Sequence, residues 1–152
     1  MFRIEEDDLS SEAIRALLAI HLAGMHANSP PGSVFALDLS GLQMPGVTIW
    51  SVWDRDEVVG VGALKALGNG DGELKSMRTH PNHLRRGIAA TLLRHMITEA
   101  RLRNLKRLSL ETGSGPAFDA ALTLYRKFGF TDGDAFSDYA RSDFNQFLHL
   151  TL

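Results

Sequence analysis

Residues 79–96 read THPNHLRRGIAATLLRHM, and the character of this stretch changes halfway along it. The first half is polar and contains a proline, two adjacent arginines and a glycine. The second half repeats apolar residues at the spacing of an amphipathic helix. The first turn of a helix already carries partial positive charge from its backbone. Because Arg85 and Arg86 add to that charge, the stretch predicts that an anion lies at this turn.

A phosphate group suits this position. The first N–H groups of a helix have no partner inside the helix and point outward. Gly87 lets an anion approach the backbone, and the small Ala89 and Ala90 keep that approach open. The two guanidinium groups would add charge-assisted hydrogen bonds to phosphate oxygens. A solvated basic helix start without a ligand is the alternative, but arginine here opposes the helix dipole by ~0.3–1 kcal/mol, which favours a ligand.

The sequence around this turn predicts an α+β fold, with a mixed, mostly antiparallel sheet and helices on both faces. We expect strands at residues 1–4, 47–54, 57–67, 72–80 and 107–112 and two more in the tail 130–152. We expect a helix from Ser10 or Ser11 to Asn28, helical turns within 34–42, and helices at about 87–103 and between Pro116 and Gly129. This order, without G-x-x-x-x-G-K-[ST] or an early G-x-G-x-x-G, argues against P-loop and dinucleotide-binding folds.

Composition narrows the class of protein further. A chain of 152 residues suits one domain, residues 1–152, and 44% apolar with 22% charged residues is ordinary for a globular protein. A net charge of −2 argues against nucleic acid as the partner. The lack of cysteine excludes disulfides, cysteine nucleophiles and Cys-based metal sites, and we expect no metal. No apolar run reaches ~20 residues and the N-terminus is acidic, so we expect a cytoplasmic protein without a membrane partner.

Two segments resemble the GNAT family of N-acetyltransferases, and the likeness spans about residues 47–130. The first is the strand, turn and helix around THPNHLRRGIAATLL, which resembles the family's phosphate-binding turn R/Q-x-x-G-x-G/A. The second is AALTLYRKFGF, residues 120–130, which resembles N-x-x-A-x-x-L-Y-x-x-x-G-F. The chain departs from these patterns at Leu84, where the family often has Arg or Gln, and at Phe118, where it often has Asn.

The resemblance implies acetyl-CoA as cosubstrate, held mainly by backbone groups. In the family the strand that here reads SMRTH runs beside the pantetheine arm, so backbone groups of Met77 and Thr79 would pair with its amides. The helix turn would take the pyrophosphate. The residues expected to contact the cofactor are Met77, Arg78, Thr79, Leu84, Arg85, Arg86, Gly87, Ile88, Ala89, Ala90, Phe118 and Tyr125.

Acetyl transfer to an amine needs a proton donor for the thiolate and a route for the proton that the amine loses. The resemblance implies direct attack and marks Tyr125 as general acid, although this residue shares a helix face with apolar side chains and could be a core residue. Glu111, within LSLET, is a candidate base or the partner of Lys75 or Arg107, and Glu73 is a second candidate. The remaining candidates for the base are His21, His26 and His80. Of these, His21 fits a core position better than a catalytic one.

The acceptor is expected to be a small-molecule amine or a peptide, entering opposite the cofactor. The resemblance places it near residues 26–33, near Trp50 and Trp53, of which at most one should line the pocket, and near 134–139. Those two tryptophans would face opposite sides of their strand. Within 134–139, Asp134, Asp138 and Tyr139 fit ordinary turn residues slightly better than amine ligands.

Two other functions stay open: a non-catalytic acyl-CoA sensor, and a nucleotide- or nucleic-acid-binding module that uses the two arginines. The intact tyrosine motif favours the enzyme. Acidity and the lack of aromatic residues near the arginines count against the nucleic-acid module. Exposed sheet edges in such folds are often covered by a second copy, so we expect a homodimer.

Overall fold

A computed structural model describes residues 1–152 and confirms the α+β class. The strands are β1 (Arg3–Asp7), β2 (Val47–Asp54), β3 (Glu57–Ala66), β4 (Asp71–Thr79), β5 (Arg107–Thr112), β6 (Thr131–Asp132) and β7 (Gln146–Thr151). The helices are α1 (Glu12–Asn28), α2 (Leu39–Leu42), α3 (Ile88–Leu102) and α4 (Pro116–Lys127). One sheet holds all seven strands in the order β1-β2-β3-β4-β5-β7-β6. Only the β4–β5 pair is parallel.

The first strand and the first helix show how neighbouring contacts set element bounds. β1 lies later than residues 1–4 because it pairs with β2 through Asp7, opposite Ile49. Ser11 rather than Ser10 caps α1, since its hydroxyl accepts a hydrogen bond from the N–H of Ile14 at 3.3 Å. Of the residues 34–42 expected to form helical turns, only those of α2 do so, and Asp38 caps this short helix.

Helices cover both faces of the sheet, as predicted. On one face, α3 and α4 pack on a core that includes Leu92, Met96, Leu110 and Phe130. On the other face, α1 buries residues such as Ile14 and Leu17 against β2 and β3. No helix has both the length and the apolar character needed to cross a bilayer.

The sheet divides next to its parallel pair. The pairing between β4 and β5 runs only from Asp71 opposite Arg107 to Glu73 opposite Ser109. Beyond these residues, β4 continues to Thr79 and β5 to Thr112 without pairing to each other. The facing edges of the two strands therefore keep backbone N–H and C=O groups free for another extended chain.

A β-bulge in β4 changes which side chains share a face. Lys75 lies opposite Ala63 while Arg78 lies opposite Val61, so two residues of β4, Ser76 and Met77, face the single Gly62 of β3. The extra residue falls beside Ser76, whose φ is +57°. Since Val61 and Ala63 both face the α1 side, Lys75 and Arg78 face that side too.

Candidate active site

The predicted phosphate turn forms an open helix start. Gly87 precedes α3 with φ of +79°, and no side chain caps the helix there. A Cβ built on Gly87 would meet no atom within 4 Å. The first N–H groups of α3 have no partner within the helix, so this geometry leaves space for an anion beside them.

The two arginines at this turn have different roles in the fold. Arg86 donates to the carboxylate of Asp54 at 2.9 Å, lies 2.7 Å from Nδ1 of His83, and stacks over the ring of Phe2. The hydrogen bond from Arg86 lowers the pKa of the Asp54 carboxyl group. Part of the negative charge predicted at the turn is thus supplied by the chain itself. Arg85 is exposed, makes no hydrogen bond or ion pair within the chain, and has φ of +62°.

The other predicted contacts around the turn differ in exposure. Leu84 is exposed, and Ala89 and Ala90 are half-buried. Ile88 is buried against the backbone of β3, because a Cβ on Gly60 would lie 2.8 Å from its side chain. Ile88 therefore packs the start of α3 onto the sheet. Thr79 ends β4 just before the turn.

A cavity opens where β4 and β5 diverge, between α1 and α4. It brings together one group of the predicted site residues: Glu73, Met77, Arg78, Glu111, Phe118 and Tyr125. The residues of the turn from Leu84 to Ala90 lie outside its lining. The site therefore has two parts, a backbone turn at the start of α3 and a side-chain cavity beside the split in the sheet.

Tyr125 and Phe118 form the α4 wall of this cavity. Tyr125 is 7% exposed, packs edge-on against Phe130, and its hydroxyl has no hydrogen-bond partner in the chain. Burial raises the pKa of Tyr125 to about 12, so the phenol stays protonated throughout the physiological pH range. Phe118 is buried and packs edge-on against Phe144. Tyr125 is therefore both a core residue and a part of the cavity wall.

Glu73 belongs to a buried network and is not a free carboxylate. Its Oε2 lies 3.1 Å from Nζ of Lys75 and accepts a hydrogen bond from the Tyr139 hydroxyl. Lys75 is also 2.7 Å from that hydroxyl. Tyr139 closes the predicted turn, since its N–H donates to the carbonyl of Phe136 at 3.2 Å, while its side chain joins this network and packs against Phe35. Asp138 does lie in a turn.

Glu111 is the carboxylate that the cavity leaves without an ion pair. Lys75 pairs with Glu73, and Arg107 pairs with Asp71 at 3.4 Å, so neither salt bridge considered for Glu111 is formed. Burial raises the pKa of Glu111 to about 7, and the charge of Glu73 adds to this while Lys75 opposes it. A carboxyl group with this pKa can accept a proton near neutral pH.

The two tryptophans and two of the candidate histidines lie outside the cavity lining. Neither tryptophan lines the cavity: Trp50 lies edge-on to His95 of α3, and Trp53 packs beside the core under α1. Of the histidines, His26 is exposed, and His80 accepts from the N–H of Asn82 at 3.1 Å. The two tryptophans do face opposite sides of β2, but both sides are filled by packing.

The side chain of Arg78 was not predicted to line the acceptor side, because the family resemblance assigns this residue only to the cofactor segment. On the α1 side of the cavity, Nε of Arg78 donates to Nδ1 of His21 at 3.0 Å. Burial and the charge of Arg78 lower the pKa of His21 to about 4, so this histidine is neutral and buried, as its core position predicted. A regular strand would place residues 75 and 78 on opposite faces, and only the bulge at Ser76 puts them together.

Comparison with known proteins agrees with this architecture. The acetyltransferase (GNAT) family matches residues 14–130, and the chain belongs to this family. Over all 152 residues it is 51% identical to the uncharacterized N-acetyltransferase YedL of Escherichia coli (strain K12), of which it covers 96%. It is 46% identical to the uncharacterized N-acetyltransferase YsnE of Bacillus subtilis (strain 168) over 95% of this chain and 96% of that protein. The protein is thus an N-acetyltransferase.

A solved structure shares the fold. The Bacillus subtilis acetyltransferase in complex with CoA superposes with a TM-score of 0.74 at 19% identity, covering 100% of this chain and 99% of that chain. Its likeness supports the family's sheet and helix arrangement for this chain.

Proposed function

We propose that residues 1–152 form one acetyl-CoA-dependent N-acetyltransferase domain that acetylates a primary amine of a small molecule or peptide. The observation that supports the proposal is that three features follow one another along β4 and the turn after it. These are the open start of α3, the unpaired edge of β4, and the cavity that contains Tyr125 and Glu111. Acetyl-CoA has a pyrophosphate, an extended amide-bearing arm and a thioester in the same order.

The residues present suit this molecule. The N–H groups beside Gly87 would hold the pyrophosphate, with Arg85 free to add a charge-assisted hydrogen bond. Backbone groups of Met77 and Thr79 lie on the edge of β4 that β5 leaves unpaired. The hydroxyl of Ser76 lines the cavity, is buried and has no partner, so it offers one more polar contact.

The proposed reaction is direct transfer. The amine nitrogen bonds to the thioester carbonyl carbon, the carbon–sulfur bond breaks, and the sulfur leaves as a thiolate. Tyr125 would donate its proton to that thiolate, because its phenol is protonated and reaches the cavity. Glu111 would accept the proton that the amine loses. Glu73 would act through its network with Lys75 and Tyr139, by fixing Lys75 at the cavity wall.

A binding experiment tests the proposal. We expect acetyl-CoA to bind the wild-type protein in a calorimetric titration. The Gly87→Glu variant should not bind it, because the new carboxylate would occupy the anion position. Gly68→Glu is the matched control, since Gly68 has φ of +82° and is equally open around its Cβ but lies in the β3–β4 turn. Equal affinity of all three proteins for acetyl-CoA would refute the phosphate site at Gly87.

The non-catalytic acyl-CoA sensor is the second candidate, and the departures at Leu84 and Phe118 are what favour it. Release of free thiol in the presence of an amine distinguishes the enzyme from the sensor. The homodimer and the cytoplasmic location stay predictions.

A further inference from the structure

Arg78 is a cation in the cavity wall without an anionic partner. Arg78 forms no ion pair within the chain, although Lys75 on the same face of β4 is paired with Glu73. Its hydrogen bonds go to His21 alone, through Nε to the ring and through Nη2 to the backbone carbonyl at 3.5 Å. Since His21 is neutral, the charge of the guanidinium is not compensated by any group that it contacts.

Burial makes this arrangement costly in free energy. Arg78 is half-buried, and desolvation lowers its pKa from the usual value, although an arginine stays protonated in proteins. A partly buried charge is normally paired. The cost is recovered when a ligand brings an anion to the guanidinium, and a carboxylate matches its planar set of donors.

The surroundings hold the guanidinium in one orientation. His21 fixes the Nε edge, which leaves the Nη1 end without a partner in the chain. Gly24, one turn further along α1, makes room for the group, because a Cβ there would lie 3.1 Å from Nη2. Both residues line the cavity. This preorganisation is typical of a ligand-binding arginine rather than of a solvated surface charge.

We propose that Arg78 binds a carboxylate of the acceptor, so that the substrate is an amine that also carries a carboxylate group, such as an amino acid. The inference rests on the proposed function, which supplies the acetyl donor. In the same cavity, Glu111 is a carboxylate without an ion pair and so offers a partner for the amine. The cavity thus presents a guanidinium without an anion and a carboxyl group without a cation. The side chain of Arg78 lies on the α1 side while its backbone stays in the cofactor strand.

Pairs of acceptors that differ only in the carboxylate test this proposal. The pairs are leucine with isopentylamine and phenylalanine with 2-phenylethylamine. Each compound is titrated into protein that is saturated with CoA, because CoA carries no acetyl group and the reaction cannot proceed. We expect each acid to bind about tenfold to a hundredfold more tightly than its amine, the usual effect of one charge-assisted contact. Arg78→Gln should remove this difference, and Arg78→Lys should restore part of it.

The control is Arg101→Gln, which alters an exposed arginine near the end of α3. It should keep the full preference for the acids. Equal or tighter binding of the amines, or no binding of either acid by protein that does bind CoA, overturns the proposal. Weaker CoA binding in Arg78→Gln with an unchanged preference would also overturn it, since the side chain would then serve the cofactor. Failure of the wild-type protein to bind CoA instead refutes the proposed function, and the same titrations on the free protein still decide the role of Arg78.

Discussion

The helix turn and the cavity recognise charge in different ways. At the turn, the binding groups are backbone N–H groups, and Arg86 is already neutralised by Asp54. In the cavity, the groups are side chains from four separate segments, and Arg78 has no anion beside it. A backbone site accepts any ligand with the right phosphate, whereas a side-chain site discriminates by the chemistry of the ligand. Donor and acceptor specificity therefore belong to different parts of the molecule.

The largest effect that separates the two regions is expected for Tyr125→Phe. Loss of the hydroxyl should lower kcat about 10²–10⁴-fold, the usual contribution of a positioned proton donor. Affinity for acetyl-CoA should stay close to that of the wild-type protein, because the turn is untouched. Steady-state rates and calorimetry measure the two quantities. An unchanged kcat would make Tyr125 a core residue only.

A smaller change, but a diagnostic one, is expected for the pH dependence. If Glu111 accepts the proton, kcat/KM should rise with pH through a pKa of about 7. Glu111→Gln should lower the rate and remove this step from the profile. If the step persisted in Glu111→Gln, another group would be responsible for it.

The same shift has a consequence for stability with a definite sign. The folded protein holds the Glu111 proton up to about pH 7, while the unfolded chain loses it near the ordinary glutamate pKa of 4.5. The folded state thus binds more protons between these values, so the contribution of Glu111 to stability falls as pH rises through this range. Glu111→Gln should gain stability over wild type between pH 5 and pH 8, as measured by thermal melting.

The smallest expected effect comes from Gly24→Ala. Alanine in a helix interior is favoured over glycine by about 1 kcal/mol, so α1 should be stabilised. The new methyl group would press on the Arg78 guanidinium, which can shift because it ends a flexible side chain. We expect a slightly higher Tm together with several-fold weaker binding of a carboxylate acceptor and unchanged affinity for acetyl-CoA. Tighter binding of the acid would contradict the role of Arg78.

The two regions also differ in how far the sequence predicts them. The turn could be predicted because its elements are local: Gly87 and the helix that follows lie within one short stretch. Element order and the family resemblance likewise come from adjacent residues. The pairing of Arg86 with Asp54 and the network of Tyr139 with Lys75 join residues 32 and 64 positions apart, which no local pattern indicates.

The face of Arg78 was unpredictable for another reason. Period-two alternation places residues 75 and 78 on opposite sides of a strand, and the bulge that overrides it needs a positive φ at Ser76. Positive φ is rare for serine, so the sequence carries no mark of the bulge. The charge on the acceptor side therefore becomes visible only in the folded chain.

The short parallel joint between β4 and β5 bears on how the protein avoids self-association. An unpaired strand edge at the surface invites another chain to add to it and so promotes aggregation. Here the free stretch of β4 after Glu73 lies between α1 and α4, where Met77, Arg78 and Thr79 are half-buried. A passing polypeptide in the solvent meets helices there rather than an open strand, and only a slender extended molecule can reach the free backbone groups. The sheet thus keeps a free strand edge that α1 and α4 shield from other chains.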